Sequence, residues 1–297
     1  MKALEAEPHI FVKNILYPTD FSSVAESALP FVWDIARMFG SRVTAVHVRT
    51  PDSESLVPPL SPTHQTESTE DLAQKLRRTL DDKLKALDHE LLVGEGEVWD
   101  LIANVIKDRD IDLVVIGTQG RTGLEKFMLG SVAELIFRQT NCPVLTIGPH
   151  VVHNKRHGWE MSNILLATDF TSESLAACPL AFALARERRA RLTLLHVFER
   201  PEAEDLIDPQ RYIDSTVRML QHQVPKVVSQ DCQVTYLVSG GNPADEILKA
   251  AKESGSDLIV LGVRSASGRL GLATHLARPT AHQVVSRAPC PVLTVRG

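Results

Sequence analysis

The sequence predicts an α/β protein made of two tandem copies of a doubly wound domain with a parallel sheet. Three observations predict this fold: the chain repeats itself, strand-like and helix-like segments alternate within each copy, and the strand-like runs are continuously apolar. The runs at residues 113–116 and 258–261 contain no polar residue, which is typical of strands covered by helices on both faces. A chain of 297 residues is also long for a single hydrophobic core, which favours two domains.

The internal repeat is visible in four blocks of sequence. Ile-Leu-Tyr-Pro-Thr-Asp-Phe-Ser at residues 15–22 returns as Ile-Leu-Leu-Ala-Thr-Asp-Phe-Thr at 164–171, so Asp20 and Asp169 are 149 residues apart. Three further blocks return at nearly the same spacing: His-Val at 47–48 and 196–197, Asp-Leu-(Val/Ile)-Val-(Ile/Leu)-Gly at 112–117 and 257–262, and Cys-Pro-Val-Leu-Thr at 142–146 and 290–294. Such a constant spacing indicates two copies of one domain.

The repeat also predicts where the domains lie. We predict one domain over residues 1–149 and a second over 161–297, joined by a polar linker at 150–160. A stretch rich in Pro and Ser at 50–70 interrupts the first copy and predicts a long loop.

Within the first copy, strands and helices follow one another in order. Helical spacing of apolar residues predicts a helix over 23–39, which ends at Gly40 because glycine takes the left-handed cap conformation without steric cost. The other elements predicted for this copy are strands at 13–17, 43–48, 113–117 and 144–148 and helices at 71–92, 98–109 and 130–138.

The composition excludes several classes of function. With 32 Lys and Arg against 37 Asp and Glu, the formal net charge of −5 leaves no basic excess for binding nucleic acid. The amino terminus lacks the basic and apolar regions of a signal peptide, and no stretch approaches the ~20 apolar residues of a membrane helix. We therefore expect a cytoplasmic protein with no nucleic-acid or membrane partner. The four cysteines form no Cys-x-x-Cys pair, which argues against a zinc ribbon or a disulfide scaffold.

Ligands of open parallel sheets bind beyond the carboxyl ends of the strands, where the strand order reverses. Three segments of the first copy are expected there: Pro18-Thr19-Asp20, His47-Val48 and Gly117-Thr118-Gln119-Gly120. They are the candidates for a binding site.

The third segment suits a phosphate group. After nine intervening residues, the run Gly130-Ser131-Val132 opens a helix whose free N–H groups and partial positive charge would point at a bound anion. Arg121 could bind phosphate bidentately. Asp20 would repel phosphate, so its expected role is to hold a divalent cation, Mg²⁺ or Mn²⁺, or to accept a hydrogen bond from a ribose hydroxyl.

The same residue types also have structural explanations, which stay open at this point. Glycines after strands are often turn residues, and Asp20 could cap the helix that begins near Ser22 or Ser23. His47 and His196 could be ordinary strand-end residues, and the Cys-Pro pairs could be small core residues rather than redox sensors.

The sequence resembles the universal stress protein family at these residues. Gly117-x2-Gly120-x9-Gly130-Ser131 matches the family's nucleotide signature at every required position, and the Pro-Thr-Asp-Phe-Ser, His-Val, Glu95-Gly96 and Cys-Pro-Val-Leu-Thr segments match as well. The resemblance implies a five-stranded, Rossmann-like adenine-nucleotide α-hydrolase fold that binds ATP, or ADP or AMP.

In the family's pattern each candidate residue has a place around the nucleotide. Pro18, Thr19 and Asp20 meet the adenosine, Val48 lies by the adenine, and Gly117, Gly120, Gly130, Ser131 and Val132 hold the phosphates, with Arg121 as a possible substitute for the cation lost at Gln119. The family also pairs the last strands of two domains, here at 144–147 and 292–295. This implies a pseudo-dimer within the chain, and a homodimer is possible.

The second copy departs from this signature. Ser265 replaces the second glycine, and His275 and Leu276 stand where Gly-Ser is required, so we predict one ATP per chain. The leading hypothesis is an ATP-binding universal stress protein that acts as a nucleotide-dependent switch in stress response or regulation. The alternatives are a slow ATP hydrolase or phosphotransferase, although no nucleophile with a paired base is evident, and a structural interaction module without nucleotide.

Overall fold

In the computed structural model, the described residues are 12–50, 68–118, 131–154, 158–198, 208–264 and 280–297. Among them the chain divides into two compact units. The amino-terminal unit holds residues 12–118 and 131–142 of the described chain, and the carboxyl-terminal unit holds those from 143 to 297.

The amino-terminal unit alternates strands and helices. Its elements are β1 (Asn14–Pro18), α1 (Ser23–Phe39), β2 (Arg42–Arg49), α2 (Thr69–Leu84), β3 (His89–Glu95), α3 (Val98–Asp108), β4 (Leu113–Gly117) and α4 (Ser131–Gln139). The four strands are parallel and lie in the order β3-β2-β1-β4. The direction of the strand order therefore reverses between β1 and β4, at the centre of this sheet.

Continuous burial explains why β1 and β4 occupy the centre. Ile15, Leu16 and Tyr17 are consecutive and fully buried, as are Val114 and Val115. Because successive side chains of a strand point to opposite faces, both faces of these strands must be covered. The predicted doubly wound α/β fold is confirmed.

Helix α1 has the bounds that its sequence predicts. The Ser22 hydroxyl accepts a hydrogen bond from the Ala25 N–H and caps the start, and Gly40 ends the helix with a φ of 66°. Seven apolar residues along one side of α1 are buried, which fixes the helix against the sheet.

The carboxyl-terminal unit repeats this architecture. Its elements are β5 (Val144–Ile147), β6 (Asn163–Ala167), α5 (Ser172–Ala176), α6 (Cys178–Arg188), β7 (Arg191–Phe198), α7 (Pro209–Gln223), α8 (Lys226–Asp231), β8 (Val234–Gly240), α9 (Pro243–Glu253), β9 (Leu258–Val263), α10 (Thr280–Arg287) and β10 (Val292–Arg296). The strand order is β5-β10-β9-β6-β7-β8, and every pairing is parallel except that of β5 with β10.

The antiparallel pair β5–β10 is tied by two buried threonines. The Thr146 hydroxyl donates a hydrogen bond of 2.9 Å to the Val292 carbonyl, and the Thr294 hydroxyl donates one of 3.3 Å to the Val144 carbonyl. Each strand thus supplies one side-chain donor to the other. The expected pseudo-dimer of the two sequence copies, and the domain bounds, stay predictions.

One predicted element is wrong. Residues 71–92 were expected to form one helix, but α2 ends at Leu84 and residues 89–95 form strand β3. Leu72, Leu76, Leu80 and Leu84 form the buried stripe of α2, and after that the apolar residues Leu91 to Val93 run consecutively along a strand. The helix also begins two residues earlier than predicted, at Thr69, because Ser68 and Asp71 form a capping box.

Candidate functional site

The carboxyl ends of β1, β2 and β4 carry the predicted binding residues of the amino-terminal unit. Pro18 ends β1 and is followed directly by Thr19 and Asp20, whereas Val48 lies near the end of β2 and Gly117 ends β4. The structure thus places these residues at the edge of the sheet where the strand order reverses, as the sequence predicts.

The turn after β1 is built from side-chain hydrogen bonds to the backbone. The Thr19 N–H donates to the Val46 carbonyl at 2.9 Å, which joins the turn to β2. The Thr19 hydroxyl accepts a hydrogen bond of 3.1 Å from the Phe21 N–H. Phe21 has a φ of 60°, in the left-handed region that non-glycine residues rarely adopt. These bonds hold the chain in a fixed path between β1 and α1.

Asp20 combines a structural contact with an available oxygen atom. Its Oδ1 accepts a hydrogen bond of 2.9 Å from the Ser22 N–H, and Ser22 is the residue that caps α1. The alternative that Asp20 caps α1 is therefore wrong, because Ser22 is the cap and Asp20 binds the N–H of that cap residue. Among the described residues, no hydrogen-bond partner is found for Oδ2, and the side chain is half-buried. That oxygen can accept a hydrogen bond from a ligand or hold a cation.

His47 anchors the same turn from β2. Its Nδ1 lies 2.8 Å from the Thr19 carbonyl oxygen, and because a carbonyl only accepts, Nδ1 carries the proton. The ring of Phe21 packs on the imidazole at a centroid distance of 4.5 Å. Sequence reasoning did not single out Phe21, although the Thr-Asp-Phe triplet recurs in both copies.

The carboxyl-terminal unit contains the same turn. His196 Nδ1 lies 2.9 Å from the Thr168 carbonyl, the Thr168 hydroxyl accepts from the Phe170 N–H, and Phe170 has a φ of 62°. Asp169 Oδ1 accepts from the backbone and the hydroxyl of Thr171. Although desolvation raises the pKa of Asp169, hydrogen bonds from Thr171 and Ser174 lower it below the ordinary value. The turn is thus a feature of the fold in both copies, with or without the nucleotide signature.

Gly117 has a packing role that its position in the signature did not reveal. A Cβ atom at Gly117 would overlap the carbonyl of Val24 in α1, so the helix passes over β4 at a distance that only glycine allows. The equivalent Gly262 faces the Glu173 carbonyl in the same way. Gly262 lies in the copy with the altered signature, for which no nucleotide is predicted. Close packing against the helix is therefore sufficient to explain a glycine at this position in either copy.

The half of the signature that is predicted to bind phosphate lies largely outside the described residues. Gln119, Gly120, Arg121 and Gly130 fall there, as do Ser265, His275 and Leu276 of the second copy. Ser131 is the first residue of α4, and Val132, in the first turn of that helix, is half-buried. For these residues the binding roles stay predictions.

Each unit has one aspartate that joins two strands of its sheet. The sequence analysis assigned no role to either residue. Asp112 Oδ2 accepts hydrogen bonds from the backbone N–H groups of Lys13 and Asn14, at 2.8 and 2.9 Å. Asp257 Oδ2 binds those of Ser162 and Asn163, both at 2.9 Å. Asp112 thus joins the segment before β4 to the start of β1, and Asp257 joins the segment before β9 to the start of β6. The repeat of Asp-Leu in both copies was the available signal.

The cysteines fit the structural alternative. All four are free, and the Cys142 thiol donates to the Ile111 carbonyl at 3.0 Å. Burial raises the pKa of Cys142 and of Cys290 to about 12, which disfavours the reactive thiolate.

Comparison with known proteins identifies the family. The model of the Universal stress protein family matches residues 12–148 and again residues 161–296. The chain belongs to the universal stress protein family. The two matches cover both copies of the repeat, and the Rossmann-like adenine-nucleotide α-hydrolase fold expected from the resemblance is confirmed.

Individual universal stress proteins resemble one copy or the whole chain. A protein of Methanocaldococcus jannaschii is 28% identical over 155 residues, which is 46% of this chain and 96% of that protein. A Bacillus subtilis protein is 31% identical over 149 residues, covering 46% and 99%. The crystal structure of an Archaeoglobus fulgidus universal stress protein covers 96% of this chain and 98% of its own, with a TM-score of 0.72 and 18% identity. Within the described part of this chain, no helix is long and apolar enough to cross a membrane.

Proposed function

We propose that this universal stress protein binds one ATP, or ADP or AMP, at the carboxyl ends of β1, β2 and β4, and that occupancy switches its regulatory state. The available Oδ2 of Asp20, fixed at the point of strand reversal, carries the proposal. A carboxylate held there suits a ribose hydroxyl, which donates a hydrogen bond.

The residues around Asp20 fit a nucleoside. Val48 is half-buried at the end of β2 and offers an apolar surface to the adenine base. Gly117 places no side chain at the end of β4, and Thr118 follows it. The phosphates would then extend toward the run from Gly120 to Val132, where the amino-terminal N–H groups of helix α4 would bind them.

A divalent cation would be shared between the protein and the phosphates. No group of three or more His, Cys, Asp or Glu side chains suited to a metal ion is found within the described ranges. Mg²⁺ binds proteins through one or two carboxylates together with substrate phosphates, so Asp20 alone is sufficient on the protein side.

The switch would act through α4, because the signature loop leads directly into this helix. Helix α4 packs against α3 within the amino-terminal unit. Phosphates bound at the start of α4 would fix its position, and the neighbouring surface of α3 would report the occupied state. The protein supplies binding and positioning in this proposal, and any hydrolysis would be slow because no general base has been identified.

A structural module without nucleotide is the second candidate, and two observations favour it. The turn after β1 recurs after β6 and Gly117 has a packing role, so both features persist without a complete signature. These two features alone therefore do not distinguish a nucleotide site from a structural module.

Calorimetric titration of the full chain with Mg-ATP tests the proposal. We expect one equivalent to bind, Gly130→Val to abolish binding because its side chain fills the phosphate space, and Asp20→Ala to weaken binding by about tenfold. Asp169→Ala is the matched control and should leave the affinity unchanged. Two equivalents, or unchanged affinity in a folded Gly130→Val variant, would contradict the proposed site. The absence of any binding by the wild-type chain would favour the structural module.

A further inference from the structure

A second surface of the amino-terminal unit has the properties of a docking groove. An open cleft of about 420 Å³ lies along α3, beside the end of β3 and the turn that joins them. Leu92, Leu101 and Val105 are half-buried along it and form an apolar floor. The cleft is open to solvent, so it suits an extended segment better than an enclosed ligand.

Exposed carboxylates surround this floor. Glu95, Glu97, Asp100 and Asp108 all line the cleft. Glu95 is paired with Arg49 at 2.6 Å, but for the carboxylates of Glu97 and Asp100 no hydrogen bond or ion pair is found with any residue that the structure describes. The cleft therefore presents unneutralised negative charge beside apolar surface.

The cation that lines the cleft is already engaged. Arg109 donates two hydrogen bonds of 2.9 Å to Glu90, from Nε and from an Nη, which holds its guanidinium group in a bidentate pair. A bidentate pair of this kind fixes the orientation of the guanidinium group. The positive charge of Arg109 therefore neutralises Glu90 more than it neutralises the carboxylates of the cleft.

The second copy shows that the fold does not require this arrangement. Helix α9 is the counterpart of α3 and has the same length of 11 residues. Its first-turn acids are neutralised within the chain, since Asp245 pairs with Arg287 at 2.8 Å and Glu246 with Lys249 at 3.6 Å. In both copies, acidic residues in the first turn interact favourably with the helix dipole. Only those of α9 also have cationic partners among the described residues.

We propose that the cleft along α3 binds a basic, amphipathic segment of a partner protein, in which Lys or Arg alternates with apolar residues. Its apolar side chains would cover Leu92, Leu101 and Val105, and its cations would pair with Glu97 and Asp100. Helix α3 is about 16 Å long, which matches roughly five residues of extended chain. This proposal does not depend on nucleotide binding.

The test is an NMR titration of the full chain with the acetylated, amidated peptide Lys-Leu-Lys-Leu-Lys. We expect amide shifts centred on Leu92, Leu101 and Val105 and a Kd on the order of 0.1–1 mM. The double variant Glu97→Gln, Asp100→Asn should weaken binding by about fivefold, because exposed ion pairs contribute modestly. The matched control, Glu187→Gln with Glu253→Gln, removes two exposed carboxylates elsewhere and should change the Kd by less than about twofold.

Two further probes distinguish docking from general attraction of charge. Lys-Gly-Lys-Gly-Lys has the same charge without the apolar side chains, and spermine is a polycation that is not a peptide. Both should bind at least about fivefold more weakly than the Lys-Leu peptide if the apolar floor contributes. Equal binding of either probe, shifts that map elsewhere, an unchanged Kd in the double variant, or no binding at all would each overturn the proposal.

Discussion

The imidazole Nδ1 of His47 lies 2.8 Å from the carbonyl oxygen of Thr19, and the same contact recurs between His196 and Thr168 at 2.9 Å. In both copies a histidine at the end of the second strand holds the turn that follows the first. The contacts differ in burial, because His196 is 8% exposed whereas His47 is half-buried. Because of this difference, the contribution of the same hydrogen bond to stability can be compared between a half-buried and a buried histidine of one molecule.

We expect His196→Phe to lower the free energy of unfolding by about 1–3 kcal/mol, because phenylalanine keeps the ring but leaves the Thr168 carbonyl without this donor in a buried position. His47→Phe should cost less, about 0.5–1.5 kcal/mol, because His47 is half-buried and water reaches its side of the hydrogen bond. Urea unfolding of both variants checks the order. A larger loss for His47→Phe would show that burial does not determine the cost.

The glycines at the ends of β4 and β9 give a second prediction. Gly117→Ala should destabilise the protein by about 1–3 kcal/mol, because the new Cβ atom pushes α1 away at Val24. Gly262→Ala should cost a similar amount through its contact with Glu173. Thermal unfolding of both variants is the measurement. If only Gly117→Ala is destabilising, the shared packing explanation is wrong.

The aspartates that join the sheets give a third prediction. Asp112→Ala and Asp257→Ala should each lower the free energy of unfolding by about 2 kcal/mol, because each removes a charged acceptor from two backbone N–H groups. Glu187→Ala is the control, since it removes an exposed carboxylate for which the described residues supply no hydrogen-bond partner. Chemical denaturation should separate the aspartate variants clearly from this control.

Glu90 gives a prediction about pH. Hydrogen bonds from Arg109 lower the pKa of Glu90 below its ordinary value, despite the opposing effect of burial. A carboxyl whose pKa is lowered on folding stabilises the protein above its unfolded pKa, and this contribution is lost as the pH falls through the folded value. Glu90→Gln should therefore reduce stability by about 0.5–1 kcal/mol at pH 7, and by less as the pH falls below about 4. Unfolding free energies across this range, compared with wild type, test the sign. A difference that grows in acid would contradict it.

The sequence predicted the elements whose signals are local. Helix α1 was predicted to the residue because the helical spacing of its apolar residues and the position of Gly40 agree. Strand β3 was missed because it is the outermost strand of its unit, only half-buried, and follows a leucine-rich helix without a glycine or proline between them. Periodicity cannot separate such a strand from the end of the preceding helix.

The candidate site was predicted in its position but not in all of its contacts. Strand order placed Asp20, Val48 and Gly117 at one edge, and the structure agrees. The contact of Gly117 with Val24, and the link from Asp112 to Asn14, depend on how close separate segments approach in space. The spacing of residues along the chain carries no measure of that distance.

The pairing of β5 with β10 has a consequence for how the chain folds. Thr294 donates its hydrogen bond to a carbonyl 150 residues earlier in the chain, and β10 follows all the other described strands in sequence. Contacts so distant in sequence require a large loop to close, which slows folding. During synthesis one edge of β5 therefore stays unpaired until β10 has been made. A fragment that begins after residue 149 would lack β5 and would expose the edge of β10 instead. The carboxyl-terminal sheet can form the pair that closes it only after both β5 and β10 have been synthesised.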